Sequence, residues 1–405
     1  MGAGIGGLAA ALSLHDAGLG DVRVAEAAPA LGPRPVGGGV CLLPDAVREL
    51  TELGLGDAVD GCGVATEELA YYDLSGGTRV WAEPRGLAAG YRWPQYSVHR
   101  GELQMALYNA VLARMGTDVV RTGARLTGYV QIPGGAVEAL FADAYGGTHS
   151  EWADLLVGAD GVHSMVRAQM NPAEGAPICN GKVMWRGTTL AEPFLTGRSM
   201  IMAGDGARKF VCHALSAPDP RTGKALTNWV AEAPLAEHAV SELPVSAIGD
   251  WTREADRAEV LGHFTLHGRH ASRDFGWLDI RGLIEDSIAV YECPPIDRDP
   301  LAGWTHGRVT LLGDAAHPMH PIASNGASQA ILDARVLAHA LGTVHSIDDA
   351  LAQYEALRRP ATAALQLTSM AASGEIAVAG EHAAGVDPRA LDERGSYGVR
   401  GSVAR

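Results

Sequence analysis

Three short stretches join glycines to carboxylates in ways that could bind a nucleotide, and two apolar segments carry side chains that could hold an anion and move a proton. The first, GAGIGG, is a GxGxxG at Gly2, Gly4 and Gly7. A helix-like run over 8–17 follows, then a strand-like run over 22–25 that ends in Glu26. In such a unit Gly2 makes the turn and Gly4 lets the backbone approach a pyrophosphate. Gly7 lets the helix pack on the sheet, and Glu26 can take ribose hydroxyls. The second stretch is an apolar run closing on GADG at 158–161. Asp160 could hold Arg167 or reach the nucleotide, and Ser164 could cap the helix that follows. The third runs over 308–341, with an apolar strand at 309–312, Gly313-Asp314, a two-proline loop and an apolar-periodic helix over 329–341. Gly313 permits a tight turn, and Asp314 lies at a strand's carboxyl end, where open α/β sheets place ligands. Asn325, Gly326 and Ala327 could aim free helix-start amides at an electron-rich ring or an anion. Each stretch alone is equally an ordinary strand–turn–helix joint. Three in one chain are not generic.

Trp185 and Arg186 adjoin on one strand-like segment, and Cys212 and His213 on another. Strand alternation sends neighbours to opposite faces, so one of each pair can face a pocket. Arg186 could hold a carboxylate. His213 could deprotonate a phenol, since an imidazole with a reference pKa of about 6.5 suits that task. Against this, a lone strand histidine is more often exposed or structurally satisfied, and Trp185 reads as core. His317 and His320 read as structural, because HxxH without a third ligand is no metal site. Arg34, in the Gly/Pro-rich run 31–43, could face a pyrophosphate or only solvent. Arg100 opens a helix running to about 115, where a cation opposes the macrodipole, so a nearby anion or plain solvation must account for it.

Apart from these stretches, a helix is expected over 45–53 and strands over 64–72, 78–81, 91–98, 119–122, 126–131, 137–142 and 151–157. Strands at 182–190, 199–202, 209–215, 225–232 and 287–292 form a β-rich stretch with one helix, 253–263. The chain ends in an alanine-rich helical stretch over 347–379 and a frayed Gly/Arg/Ser-rich tail. No second GxGxxG appears, so no separate nicotinamide-binding fold is expected. The 405 residues are 47% hydrophobic and 20% charged, enough for a large core and two or three domains. A net charge of −15 argues against nucleic acid or an anionic membrane as partner. Five scattered cysteines without a CxxC fit a reduced cytoplasmic protein with no zinc site.

One part of the nucleotide unit is missing. Its central strand should precede the first glycine, and only Met1 stands there. The expectation is that two neighbouring strands are left unpaired and a core face open. A misassigned or truncated start would explain it; a reading frame lacking apolar codons just upstream would count against that.

Together, GAGIGG with Glu26, GADGVHSMVR at 158–167, LLGDAAHPMHP at 311–321 and YEALRRP at 354–360 resemble the single-component FAD-dependent aromatic hydroxylases, which include 4-hydroxybenzoate and salicylate hydroxylases. HRGELQM at 99–105, VMWRG at 183–187, DRDPL at 297–301 and SNGASQAILDA at 324–334 make the chain similar to the phenazine-carboxylate hydroxylase branch. The resemblance implies an α/β fold: a Rossmann-like FAD-binding domain (1–69, 99–177 and 297–345), an inserted β-sheet substrate domain (70–98 and 178–296) and C-terminal helices (346–405). It implies that Gly2, Gly4, Gly7, Glu26, Arg100, Asp160 and Asp314, beside Gly313, contact or support FAD. Pro321 to Ala327, with Ser324, Asn325 and Gly326, would line the flavin ring, Pro321 near the chemistry. NAD(P)H would dock transiently and reduce the flavin. Oxygen would add at C4a, and the hydroperoxide would attack an electron-rich carbon of a small aromatic or polycyclic phenol. Monomer or homodimer both remain open. The VGGGV run at 36–40 is glycine-richer than the family pattern. Two other readings stand beside this one: a flavin oxidase or dehydrogenase, separated by whether oxygen enters the product, and a non-catalytic homologue without FAD, separated by whether flavin copurifies.

Overall fold

Helix Ile5–Asp16 begins inside GAGIGG and leads to β1 (Val24–Ala25) in a computed structural model that describes residues 1–32, 38–74, 77–143, 146–175, 178–179, 181–204, 207–234, 253–264, 275–293, 296–320 and 325–374. After β2 (Gly39–Leu42) come helix Pro44–Glu52, β3 (Gly63–Thr66), β4 (Glu68–Asp73), β5 (Arg79–Pro84) and β6 (Gln95–His99). Helix Arg100–Met115 then returns the chain to β7 (Val120–Arg121). A meander of β8 (Arg125–Ile132), β9 (Ala136–Ala142) and β10 (Thr148–Ala153) precedes β11 (Leu156–Gly158) and the short helix Met165–Met170. Next come β12 (Ile178–Cys179), β13 (Lys182–Ala191), β14 (Ser199–Gly204), β15 (Lys209–Ala214) and β16 (Ala225–Pro234). Two short helices, Arg257–Phe264 and Ile280–Glu285, lead to β17 (Val290–Cys293), β18 (Ile296–Asp297), β19 (Thr305–His306) and β20 (Val309–Leu311). Helices Gly326–Thr343 and Ile347–Gly374 complete the described chain.

Most element types match the sequence reading, and three of the differences bear on how the sheets are arranged. The strand expected over 64–72 is two strands, which join different sheets at Glu67. That expected over 151–157 likewise divides into β10 and β11. The β-rich stretch holds a second helix, Ile280–Glu285, N-capped by the Asp279 side chain on the Gly282 amide.

A seven-stranded sheet in the order β17-β13-β16-β15-β14-β4-β5 forms the larger β unit. Its two faces follow from register and alternation. Trp185, Ala231, Phe210 and Ile201 share one face, and it is packed with Val260, Phe264, Leu283 and Ile284 of the two short helices. The opposite face carries Arg186, Asn228, Glu232, Lys209 and His213 with Met200, Met202, Val211 and Val230. Trp185 and Cys212 thus belong to the core, both fully buried, and their neighbours Arg186 and His213 look the other way.

On the nucleotide side, the expected gap is present. β1 pairs with β7, and β11 with β20, but β1 and β11 do not pair with each other. Met1 and Gly2 cross the space: the Met1 amino group donates to Val157 O at 2.7 Å, the Met1 carbonyl accepts from Ala159 N, and Gly2 N donates to Ala25 O. Beside it lies a cavity of about 370 Å³, bordered by Val22, Val24, Val119 and Arg121.

Candidate active site

The glycine loop is held by close backbone contacts. Gly2 has φ of 95°, and a Cβ there would lie 2.3 Å from Ala159 O. A Cβ on Gly7 would lie 1.9 Å from Gly2 O, so the helix can sit on its own loop only without a side chain at that position. Gly4 differs, since nothing lies within 4 Å of its Cβ position. Gln104 Nε2, from helix Arg100–Met115, steadies the loop through Ala3 O at 2.6 Å. Glu26 accepts from Ala3 N through one oxygen and from Ala28 N through the other, at 2.7 and 2.8 Å. Each carboxylate oxygen has a second lone pair, so capacity for ribose hydroxyls remains.

Asp160 and Arg167 do not pair, which closes one of the two alternatives. Asp160 takes the Ser164 hydroxyl at 2.6 Å and the Met165 amide at 2.8 Å, fixing the start of helix Met165–Met170. Ser164 is the N-cap, accepting from Arg167 N. Arg167 is buried and makes a bidentate pair with Glu174 at 2.8 and 2.6 Å. It also donates to the carbonyls of Ala315 and Ala316. It therefore braces the second acidic turn against the third.

Asp314 leaves the end of β20 with its side chain exposed, beside the start of helix Gly326–Thr343. A Cβ on Gly326 would lie 3.5 Å from its Oδ1. That helix has no side-chain cap at Asn325 and no acid in its first turn, so its leading amides, including those of Gly326 and Ala327, are left for another acceptor. An open Gly4, an exposed carboxylate at a strand end and an uncapped helix start suit pyrophosphate, ribitol hydroxyls and an electron-rich ring, so the residues present fit FAD. Asp314→Ala is expected to lower FAD content several-fold at unchanged apoprotein melting temperature, checked by flavin absorbance per mole of purified protein. Full flavin content in the variant would remove Asp314 from the site. Arg34, Pro321 and Ser324 lie outside the described residues.

Beneath the Asp314 turn is a buried network that the sequence reading missed. Asp333, fully buried in an apolar helix, accepts from Gly313 N at 3.0 Å, His317 Nε2 at 2.5 Å and Arg358 Nε at 2.7 Å. Burial alone would raise its pKa, but His317 and Arg358 outweigh that and hold it at about 2. A carboxylate so far below neutrality is an acceptor, so His317 Nε2 is the donor. Arg358 also binds Gln329 Oε1 at 2.6 Å, bolting helix Ile347–Gly374 to the turn.

The substrate side gathers around Gly38 and Gly39. Gly39 N donates to Asn228 Oδ1 at 2.7 Å, and Cβ positions on Gly39 and Gly38 would meet His213 Cε1 at 2.6 Å and Arg186 Cδ at 3.6 Å. Arg100 N donates to Gly38 O, so the start of its helix sits at the same turn. At 38 and 39 the glycines of the VGGGV run serve the close approach of β2 to the seven-stranded sheet. Asn228 also fixes the histidine. Its Oδ1 is taken by Gly39, so its Nδ2 donates to His213 Nε2 at 3.1 Å. Burial pushes His213 down to about 4, only partly opposed by the backbone of Ala214, so the ring is neutral at pH 7 with its proton on Nδ1. Nδ1 has no aligned hydrogen-bond partner. As arranged, the His213 ring presents a donor at Nδ1, its other nitrogen being taken by Asn228. Among the described residues no cluster of His, Cys, Asp or Glu could hold a metal, and no helix is long and apolar enough to cross a membrane.

Comparison with known proteins agrees with this geometry. The model of the FAD binding domain family matches residues 1–209 and 286–368. Phenazine 1,6-dicarboxylic acid hydroxylase PhzS of Lysobacter antibioticus is 46% identical over 367 residues, covering 90% of this chain and 86% of the relative. A salicylate hydroxylase of Pseudomonas putida is 32% identical over 91% of this chain and 83% of its own length. Among solved structures, Klebsiella pneumoniae HpxO complexed with FAD and uric acid superposes with a TM-score of 0.72 at 25% identity, covering 91% of this chain and 86% of that one. With the three acidic turns, the glycine loop and these relatives in agreement, the chain belongs to the FAD-dependent aromatic hydroxylases, the single-component flavoprotein monooxygenases.

Proposed function

We propose that this enzyme uses NAD(P)H and O2 to hydroxylate a planar aromatic carboxylic acid. The observation that carries the reading is the sheet face that sets Arg186, His213 and Asn228 beside the Gly38–Gly39 turn. Next to these polar groups Met200, Met202, Val211, Val230 and Cys41 form a packed apolar cluster. A flat ring suits the apolar part, and a carboxylate suits Arg186. PhzS, which shares 46% of its aligned residues, is named for an aromatic dicarboxylic acid.

FAD supplies the redox and oxygen chemistry when bound. The protein's part is binding, orientation and exclusion of water. Gly2, Gly4, Gly7, Glu26 and Asp314 would hold the dinucleotide, with Asp160 and Arg167 keeping the turns in place. Arg186 orients the acid. His213 Nδ1–H donates to an oxygen of the ring substituent and favours its anionic form. In balance, Ar–H, O2, NAD(P)H and a proton give Ar–OH, NAD(P)⁺ and water.

The test is turnover of the FAD-loaded protein under heavy-isotope O2 with NADH or NADPH and a set of aromatic acids. One labelled oxygen in the product supports the reading. Reduced-nicotinamide consumption that yields only hydrogen peroxide would favour an oxidase. His213→Ala is expected to keep FAD and lower kcat/KM roughly tenfold or more, the range of one hydrogen bond to a charged group. His213→Gln, which restores a donor but no base, should recover part of the loss. If Gln is as poor as Ala, His213 is not acting as a donor.

A further inference from the structure

The two histidines of the HPMH segment point into different parts of the molecule. His317 is locked to Asp333 in the nucleotide-side helix Gly326–Thr343. His320 reaches the other way, to Glu232 on β16, with its Nε2 3.3 Å from Glu232 Oε2. Both side chains are almost wholly buried, at 2% and 0% exposure. The other Glu232 oxygen accepts from Lys182 Nζ at 2.7 Å. Register puts Lys209 directly across from Glu232 on β15, so the carboxylate has a cation on each neighbouring strand. Burial opposes the charge on Glu232, but His320 and Lys182 outweigh it and hold its pKa below the usual carboxylate value.

A buried carboxylate facing a buried imidazole is costly unless the geometry is kept. Here it is kept from both sides. Pro318 O accepts from Gln366 of helix Ile347–Gly374, and His317, one residue earlier, is pinned to Asp333. Glu232 is fixed in the middle of the sheet. Yet Glu232 Oε2 and His320 Nε2 are close without an aligned hydrogen bond. A small shift of the segment against the sheet would make or break that bond, which is what a contact that sets relative position needs.

We propose that Glu232 and His320 are positioning residues that set the 317–320 segment, and with it the flavin-facing turn begun at Asp314, against the substrate face of the seven-stranded sheet. The proposal rests on the flavin and substrate assignments above. It adds that the distance between them is held by one side-chain pair on two different units. A ring misplaced by about 1 Å relative to its reacting partner can cost on the order of a hundredfold in rate, so such a pair acts on turnover without touching the substrate.

The test is a double-mutant cycle on the FAD-loaded protein with Glu232→Gln, His320→Gln and the double variant. Two readouts are used: the visible circular dichroism of the bound flavin, and product formed per NAD(P)H consumed. Each single variant is expected to retain FAD, alter the flavin signal and lower the product yield several-fold, with kcat affected more than KM. The double variant should be no worse than the more affected single one. Additive effects, or a wild-type flavin signal in both single variants, would overturn the proposal. If Glu232→Gln fails to fold because Lys182 loses its counter-charge, His320→Gln still decides, since it leaves the Lys182–Glu232 pair intact. The flavin signal needs no substrate, so a wild-type enzyme that hydroxylates none of the acids tried would fail the functional reading while leaving this test in force.

Discussion

Asp333→Ala is expected to destabilise the protein by about 3–5 kcal/mol, the range for removing one partner of a buried ion pair. Three donors converge on that carboxylate, and two of them, His317 and Arg358, are side chains from other elements. Without it, the buried Arg358 guanidinium loses its counter-charge, and the buried His317 imidazole and the Gly313 amide lose this acceptor. Denaturant unfolding of wild type and variant at pH 7 gives the difference. The pH dependence has a definite sign. The native pKa is about 2, below the unfolded value of about 3.9. The contribution is therefore complete above about pH 4 and is lost as the pH falls through about 2. The gap between wild type and variant should narrow in that window. A gap that stays constant from pH 7 to pH 2 would mean that the network contributes little as a charged unit.

The second large effect separates two glycines of one motif. Gly7→Ala should disrupt the nucleotide loop even without a ligand, because the new Cβ would fall 1.9 Å from the backbone oxygen of Gly2. Neither atom is at the end of a flexible side chain, so the helix or the loop must move. A drop of several degrees in the apoprotein's melting temperature and loss of flavin are expected. Gly4→Ala meets no protein atom within 4 Å. Its apoprotein should melt like wild type, and any loss should appear only in FAD affinity, tenfold or more if the pyrophosphate packs there. Equal stability losses in both variants would argue against Gly4 as the point of ligand approach.

The nucleotide half of this site was legible because its constraints are local. Glycine spacing, a strand ending in Glu26 and an apolar run ending in Gly313-Asp314 each declare themselves within a few residues. The face of the sheet was legible as an alternative: Arg186 or Trp185, His213 or Cys212. Packing against helices Arg257–Phe264 and Ile280–Glu285 decided it. What stayed hidden were polar residues inside apolar patterns. Asp333 sits between Leu332 and Ala334 on a helix that otherwise reads as core, and Glu232 alternates correctly in an apolar strand. Their burial marks them as paired, but the partners, Arg358 and His320, come from distant segments that no spacing rule connects. Asn228 is similar: only contact with both Gly39 and His213 reveals that it selects the histidine's tautomer.

Arg167 bears on cooperativity. Its guanidinium pairs with Glu174 and donates to the carbonyls of Ala315 and Ala316, so the start of helix Met165–Met170 and the turn that carries Asp314 share one buried side chain. Elements tied in this way open together rather than singly. The amides of Ala316 and His317, both bonded to Gly313 O, and those of helix Met165–Met170 should therefore report one shared opening free energy in native-state hydrogen exchange. Arg167→Met should split that value in two, which would make one arginine the latch of a cooperative unit running between segments distant in sequence.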